Sequence, residues 1–91
     1  MTKLYIVEWD GWSFSEICKT KAKAQSLIRS YMESIKEIEV IGNILNDDVF
    51  IVIDNTGDYG GVHSNYKSAK SELDGYYEKD KFEIQCIKLL D

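Results

Sequence analysis

Leu4–Trp9 is rich in β-branched and aromatic residues and reads as a strand, and Ser13–Cys18 reads as a shorter second strand. Val49–Ile53 is apolar at every position and suits a central strand, and Tyr59–His63 reads as a shorter strand after it. Between these pairs the period changes. Ala24, Leu27, Ile28, Tyr31 and Ile35 fall on one helical stripe, and Ala69, Leu73, Tyr76 and Tyr77 make a shorter one. Gly75 weakens the second helix by about 1 kcal/mol relative to alanine. Closing strands are expected over Glu37–Leu45 and Phe82–Leu90, with Asn46-Asp47-Asp48 as the turn between the halves.

The two halves match. A shift of 45 residues places Ile6-Val7 on Ile51-Val52, Ala24 on Ala69, Ser26 on Ser71, Tyr31 on Tyr76 and Glu33 on Glu78. Thr20 falls on Asn65, and both residue types cap helix N-termini well. One extra residue in the second copy brings Glu37-Ile38 onto Glu83-Ile84 and Ile41 onto Ile87. The expectation is one domain of two ββαβ units, residues 1–45 and 46–91. Its fold class is α+β: a mostly antiparallel sheet of four to six strands with two helices on one face. Without the short strands the order is β-α-β-β-α-β, the ferredoxin-like order.

Trp9-Asp10-Gly11-Trp12 is the strongest local signal. Asp-Gly between strand formers predicts a two-residue hairpin turn. That register sets Trp9 opposite Trp12 and Val7 opposite Phe14 on one face, with Glu8, Ser13 and Ser15 on the other. The tryptophans align with Asp54 and Gly57, so the pair is specific to the first unit. An aromatic tip of this kind can anchor a protein partner.

Composition narrows the function. The chain has 91 residues, 44% of them hydrophobic, and no proline, which supports one packed core. Val49–Ile53, the longest apolar run, is too short to span a bilayer, and the N-terminal residues enter a strand pattern without a signal-peptide core. Cys18 and Cys86 lack metal spacing and are expected to pack as small hydrophobes in a reducing, cytoplasmic compartment. The net charge is −5 and uneven: residues 1–36 carry six Lys/Arg against four Asp/Glu, and residues 37–91 carry five against twelve. An acidic second half opposes direct nucleic-acid binding and favours a basic protein partner.

The loop Asp54-Asn55-Thr56-Gly57-Asp58-Tyr59-Gly60-Gly61 is glycine-rich, but its aspartates repel phosphate, and calcium-loop spacing is missing. No cofactor or metal is expected. Lys19, Lys21 and Lys23 surround the first helix start, where cations oppose the helix dipole. His63 is the single histidine, with no serine or cysteine motif beside it, so the chain is expected not to be an enzyme.

The stretch Gly61-Val62-His63-Ser64-Asn65-Tyr66-Lys67-Ser68-Ala69, followed by Phe82–Leu90, resembles a strand–cap–helix–strand pattern of small phage-encoded proteins. The resemblance implies a host-cell cytoplasmic setting and an anti-defence role, anti-CRISPR or anti-restriction inhibition included. It carries no catalytic residues. The expected function is a non-enzymatic inhibitor or adaptor that blocks a basic site on a nucleic-acid-processing or defence protein, partly by acidic mimicry. The candidate contact residues are Trp9, Asp10, Trp12, Phe14, Asp47, Asp48, Asp54, Asp58 and Tyr59. The alternative is a small-ligand or nucleotide-messenger binder, as a monomer or a homodimer, with its pocket between the two units.

Overall fold

The computed structural model describes residues 3–9, 13–44 and 46–91, apart from the side chain of Ser13. Its elements run β1 (Lys3–Trp9), β2 (Ser13–Cys18), α1 (Lys21–Leu27), β3 (Glu33–Glu39), β4 (Asp48–Asp54), β5 (Tyr59–His63), α2 (Tyr66–Asp74), a 3-10 turn (Lys79–Lys81) and β6 (Phe82–Lys88). The fold is α+β. The strands form two three-stranded antiparallel sheets, β2-β1-β3 and β5-β4-β6, and not the single sheet expected from the sequence.

Alternation explains the difference. Leu4, Ile6 and Ile17 of the first sheet share one buried core with Val49, Ile51 and Val62 of the second. Val7, on the other face of β1, packs with Cys18, Ala24, Leu27 and Ile35. In the second sheet Val52 is fully buried on the face that carries α2, and Phe50 meets Tyr66 edge-to-face at 6.1 Å. The sheets therefore stack face to face, and each helix covers the outer side of its own sheet rather than sharing one face with the other. Val49–Ile53 is apolar throughout because one side meets a sheet and the other a helix.

Both caps form. Thr20 Oγ1 accepts from Lys23 N–H at 3.1 Å, and Asn65 Oδ1 accepts from Ser68 N–H at 2.8 Å. Thr20→Ala and Asn65→Ala are each expected to lower stability by about 1 kcal/mol in urea unfolding. Helix α1 is shorter than its stripe suggested. Ile28 is extended, and Ser30 and Glu33 accept from Met32 and Arg29 N–H, closing a turn. Ile35 consequently lies in β3, and Tyr31 is exposed. The expected closing strand Glu37–Leu45 begins instead at Glu33 and ends at Glu39. Lys3 pairs with Glu39 as Asp48 pairs with Lys88, so the closing strands correspond at a shift of 49 residues, not 46. The longer α2 and the 3-10 turn supply the difference.

Each unit lends its trailing residues to the other. Ile41 N–H donates to Val62 O and Ser64 N–H to Ile41 O, extending the β5 edge. Leu90 N–H donates to Ile17 O and Lys19 N–H to Leu90 O, extending the β2 edge. Among the described residues no helix is long and apolar enough to cross a membrane.

Candidate functional site

Both hairpins carry a bulge at matching places. In the first, Val7 faces Glu16 but Glu8 faces Phe14, so Ser15 is the extra residue. Trp9 then pairs with Ser13, which leaves Asp10, Gly11 and Trp12 as a three-residue connection rather than a two-residue turn. Those three lie outside the described residues. A one-residue slip exchanges faces. Phe14 therefore leaves the tryptophan side and shares the inner face with Glu8. It meets Tyr59 edge-to-face at 5.8 Å. Trp9 remains on the opposite face and is 48% exposed, so Trp9 and Phe14 do not share one surface.

In the second hairpin Ile51 faces Val62 and Ile53 faces Tyr59, so Gly60-Gly61 form the bulge. A bulge frees an N–H from the ladder. The Glu72 carboxylate takes it, accepting from Gly61 N–H at 3.0 and 3.2 Å. Glycine is required for this approach, because a Cβ on Gly61 would lie 2.5 Å from Glu72 Oε1. Glu72 also meets His63 Nε2 at 2.6 Å and accepts a hydrogen bond from the Tyr76 hydroxyl. His63 is 3% exposed, and its Nδ1 meets Ser68 Oγ at 2.7 Å. A neutral ring that carries its proton on Nε2, toward the carboxylate, accepts from Ser68 at Nδ1. Chemically this network is a brace: it ties α2 to the bulge of β5.

Burial pushes the Glu72 carboxyl up, but hydrogen bonds from Tyr76, His63 and Gly61 outweigh it and hold the group below its ordinary value. A depressed carboxyl contributes stability that is full above its unfolded value and is lost as pH falls through the folded one. Native protein and Glu72→Gln should therefore differ most above the ordinary carboxylate value and converge as pH falls through the lowered folded one, read from urea midpoints in acidic buffers. Burial, then the bond to Glu72, push the Tyr76 phenol up to about 12.

The bulge forms one wall of an open cleft of about 360 Å³ between the two units. Glu8 of β1 and Lys36, Ile38 and Glu39 of β3 line it from one side, and Asp58, Tyr59, Gly60, Gly61 and Val62 from the other. The Tyr59 hydroxyl donates to Glu8 Oε2 at 2.5 Å, while burial and this carboxylate push the phenol well above its ordinary value. Lys36 Nζ sits 5.9 Å from the Tyr59 ring centroid.

The remaining acidic candidates divide. Asp47 Oδ1 binds Lys19 at 2.6 Å, and Lys19 also reaches Asp91 at 3.0 Å, which gives one of the helix-start lysines a definite partner. That bond holds the Asp47 carboxyl below its ordinary value. Asp48 begins β4, opposite Lys88 of β6. Asp54 Oδ1 accepts from Thr56 Oγ1, Thr56 N–H and Asp58 N–H within 3.0 Å, so it closes its own loop, where Gly57 adopts φ 93°. Asp47-Asp48 and Asp54-Asp58 lie at opposite ends of β4, about 20 Å apart at strand rise. They form two patches, of which only Asp58 belongs to the cleft. Cys18 is buried as expected, whereas Cys86 is exposed on edge strand β6.

Sequence reasoning placed Glu8 merely on the polar side of a hairpin, read Glu72 with Asp74, Glu78 and Asp80 as acidic charges on a solvated face of the second helix, and missed Lys36 and Glu39. The signal available was the unit comparison itself: Glu8 aligns with Ile53, and Phe14 with Tyr59. Among the described residues no group of three metal-ligating side chains converges. Comparison with family models, with curated proteins and with solved structures finds no match for this chain.

Proposed function

We propose that this chain is a binding protein, an inhibitor or adaptor, that engages a basic site on a protein partner through the cleft between its two units. The observation that carries the reading is the contrast between equivalent positions. Where one unit places Ile53, the other places Glu8; where one places Phe14, the other places Tyr59. The architecture therefore accommodates an apolar pair at these positions. A carboxylate only 6% exposed costs desolvation that an apolar residue avoids. Its retention beside an open polar cleft fits recognition.

Three carboxylates, Glu8, Glu39 and Asp58, stand against one ammonium, Lys36, so the cleft favours a cation. Acidic mimicry on this reading is confined to the cleft rather than spread over a whole face. A nucleic-acid-processing or defence protein would supply such a basic site, in keeping with the phage-type resemblance. The placement of the cleft between the units also suits the small-ligand alternative. Its exposed rim of Lys36, Glu39 and Asp58 favours a macromolecular partner over an enclosed molecule.

The test is Glu8→Ile, which copies the equivalent residue. The variant should melt no lower than the native chain and should fail to retain the basic proteins that immobilised native protein retains at low salt. Equal retention by both, or retention unchanged between about 0.05 and 0.5 M salt, would overturn the proposal.

A further inference from the structure

We infer that the group received by the cleft is a guanidinium, and that Lys36 is the resident cation it displaces. This rests on the binding reading above and names its chemistry. Glu8 is nearly buried, and one of its oxygens is taken by Tyr59. The other oxygen has no donor among the described residues. Glu8 is itself one of the residues that line the cleft. A carboxylate held by one hydrogen bond at the wall of a cleft is half of a fixed recognition site.

Asp58 provides a second carboxylate on the facing wall, and its side chain has no hydrogen-bond or ion-pair partner among the described residues. Tyr59 adds an aromatic ring already close to a cation, Lys36, at 5.9 Å. Lys36 itself has no carboxylate within 4.0 Å among the described residues, so it is held over the ring rather than locked to an acid. A planar cation with five donors can lie against the ring and still bond both acids. An ammonium offers a compact charge without that fork.

Guanidinium can come from a partner's arginine side chain or from a free small molecule, and two probes separate them. Amide spectra of the intact chain are titrated with hexa-arginine peptide, argininamide and hexa-lysine peptide. Hexa-arginine should shift the Gly60 and Gly61 signals, with hexa-lysine at least five-fold weaker. Asp58→Asn, a surface change that leaves the core untouched, should weaken hexa-arginine at least three-fold, and Glu8→Gln at least ten-fold. Lys36→Met should strengthen it at least three-fold by removing the competitor; weakening would assign Lys36 to an anionic ligand and overturn the inference. Equal binding of arginine and lysine peptides, or insensitivity to Glu8→Gln and Asp58→Asn together, would also overturn it. Argininamide binding as tightly as the peptide would keep the guanidinium chemistry and reject the protein partner. Loss of protein retention in Glu8→Ile without any arginine-peptide binding would do the reverse.

Discussion

Ile51→Ala is expected to lower the stability of the whole chain by about 3–4 kcal/mol while leaving one unfolding transition. Ile51 lies in the middle of β4 and is fully buried. It belongs to the cluster that contains Leu4, Ile6 and Ile17 of the first sheet. The side chain lost there removes contacts on both sides of the sheet interface, and strands on either side limit collapse of the cavity. For a domain of this size the melting temperature should fall by about 12–32 °C. Circular dichroism and tryptophan fluorescence should report the same midpoint, because Trp9 and Ile51 belong to units that share one core. Separate transitions by the two probes would mean that the halves fold independently.

Glu72→Ala is expected to cost about 3 kcal/mol, well beyond an ordinary surface change. The deleted carboxylate leaves His63 Nε2, Gly61 N–H and the Tyr76 hydroxyl without their acceptor at once. A buried donor left unpaired costs more than the hydrogen bond contributed. Adding His63→Phe removes one of those orphans. The double variant should then lose at least 1 kcal/mol less than the sum of the two single losses in urea unfolding. Simple additivity would show that His63 and Glu72 do not act as one brace.

The strand cores and both helix caps were readable in the chain because they depend on neighbours in sequence. Ile6-Val7, Ile51-Val52, Thr20 and Asn65 lie where pattern and cap chemistry put them. Helix α1 was overrun because Tyr31 and Ile35 continue its spacing, although Ile35 packs on the same cluster from a strand. Pattern alone cannot separate those two routes to burial. The single-sheet expectation failed for a related reason. A fully apolar Val49–Ile53 fits both a central strand under helices and a strand between a sheet and a helix. The hairpin register turned on one residue, and Asp10-Gly11 suggested the shorter connection. That slip concealed Glu8 beside Phe14 and hence the cleft. Glu72 and Gly61 were beyond local reasoning altogether, since a bulge and a helix must first bring them together.

The reciprocal exchange of trailing segments bears on how the molecule is made. Ribosomes deliver the amino-terminal half first, yet the outer flank of β2 waits for Leu90 to emerge. Until then Ile17 and Cys18 lie along an unfinished border, a ready template for strand addition from another nascent copy. Trading tails between two chains would satisfy the same hydrogen bonds, so crowding during synthesis should favour interlocked pairs over solitary molecules.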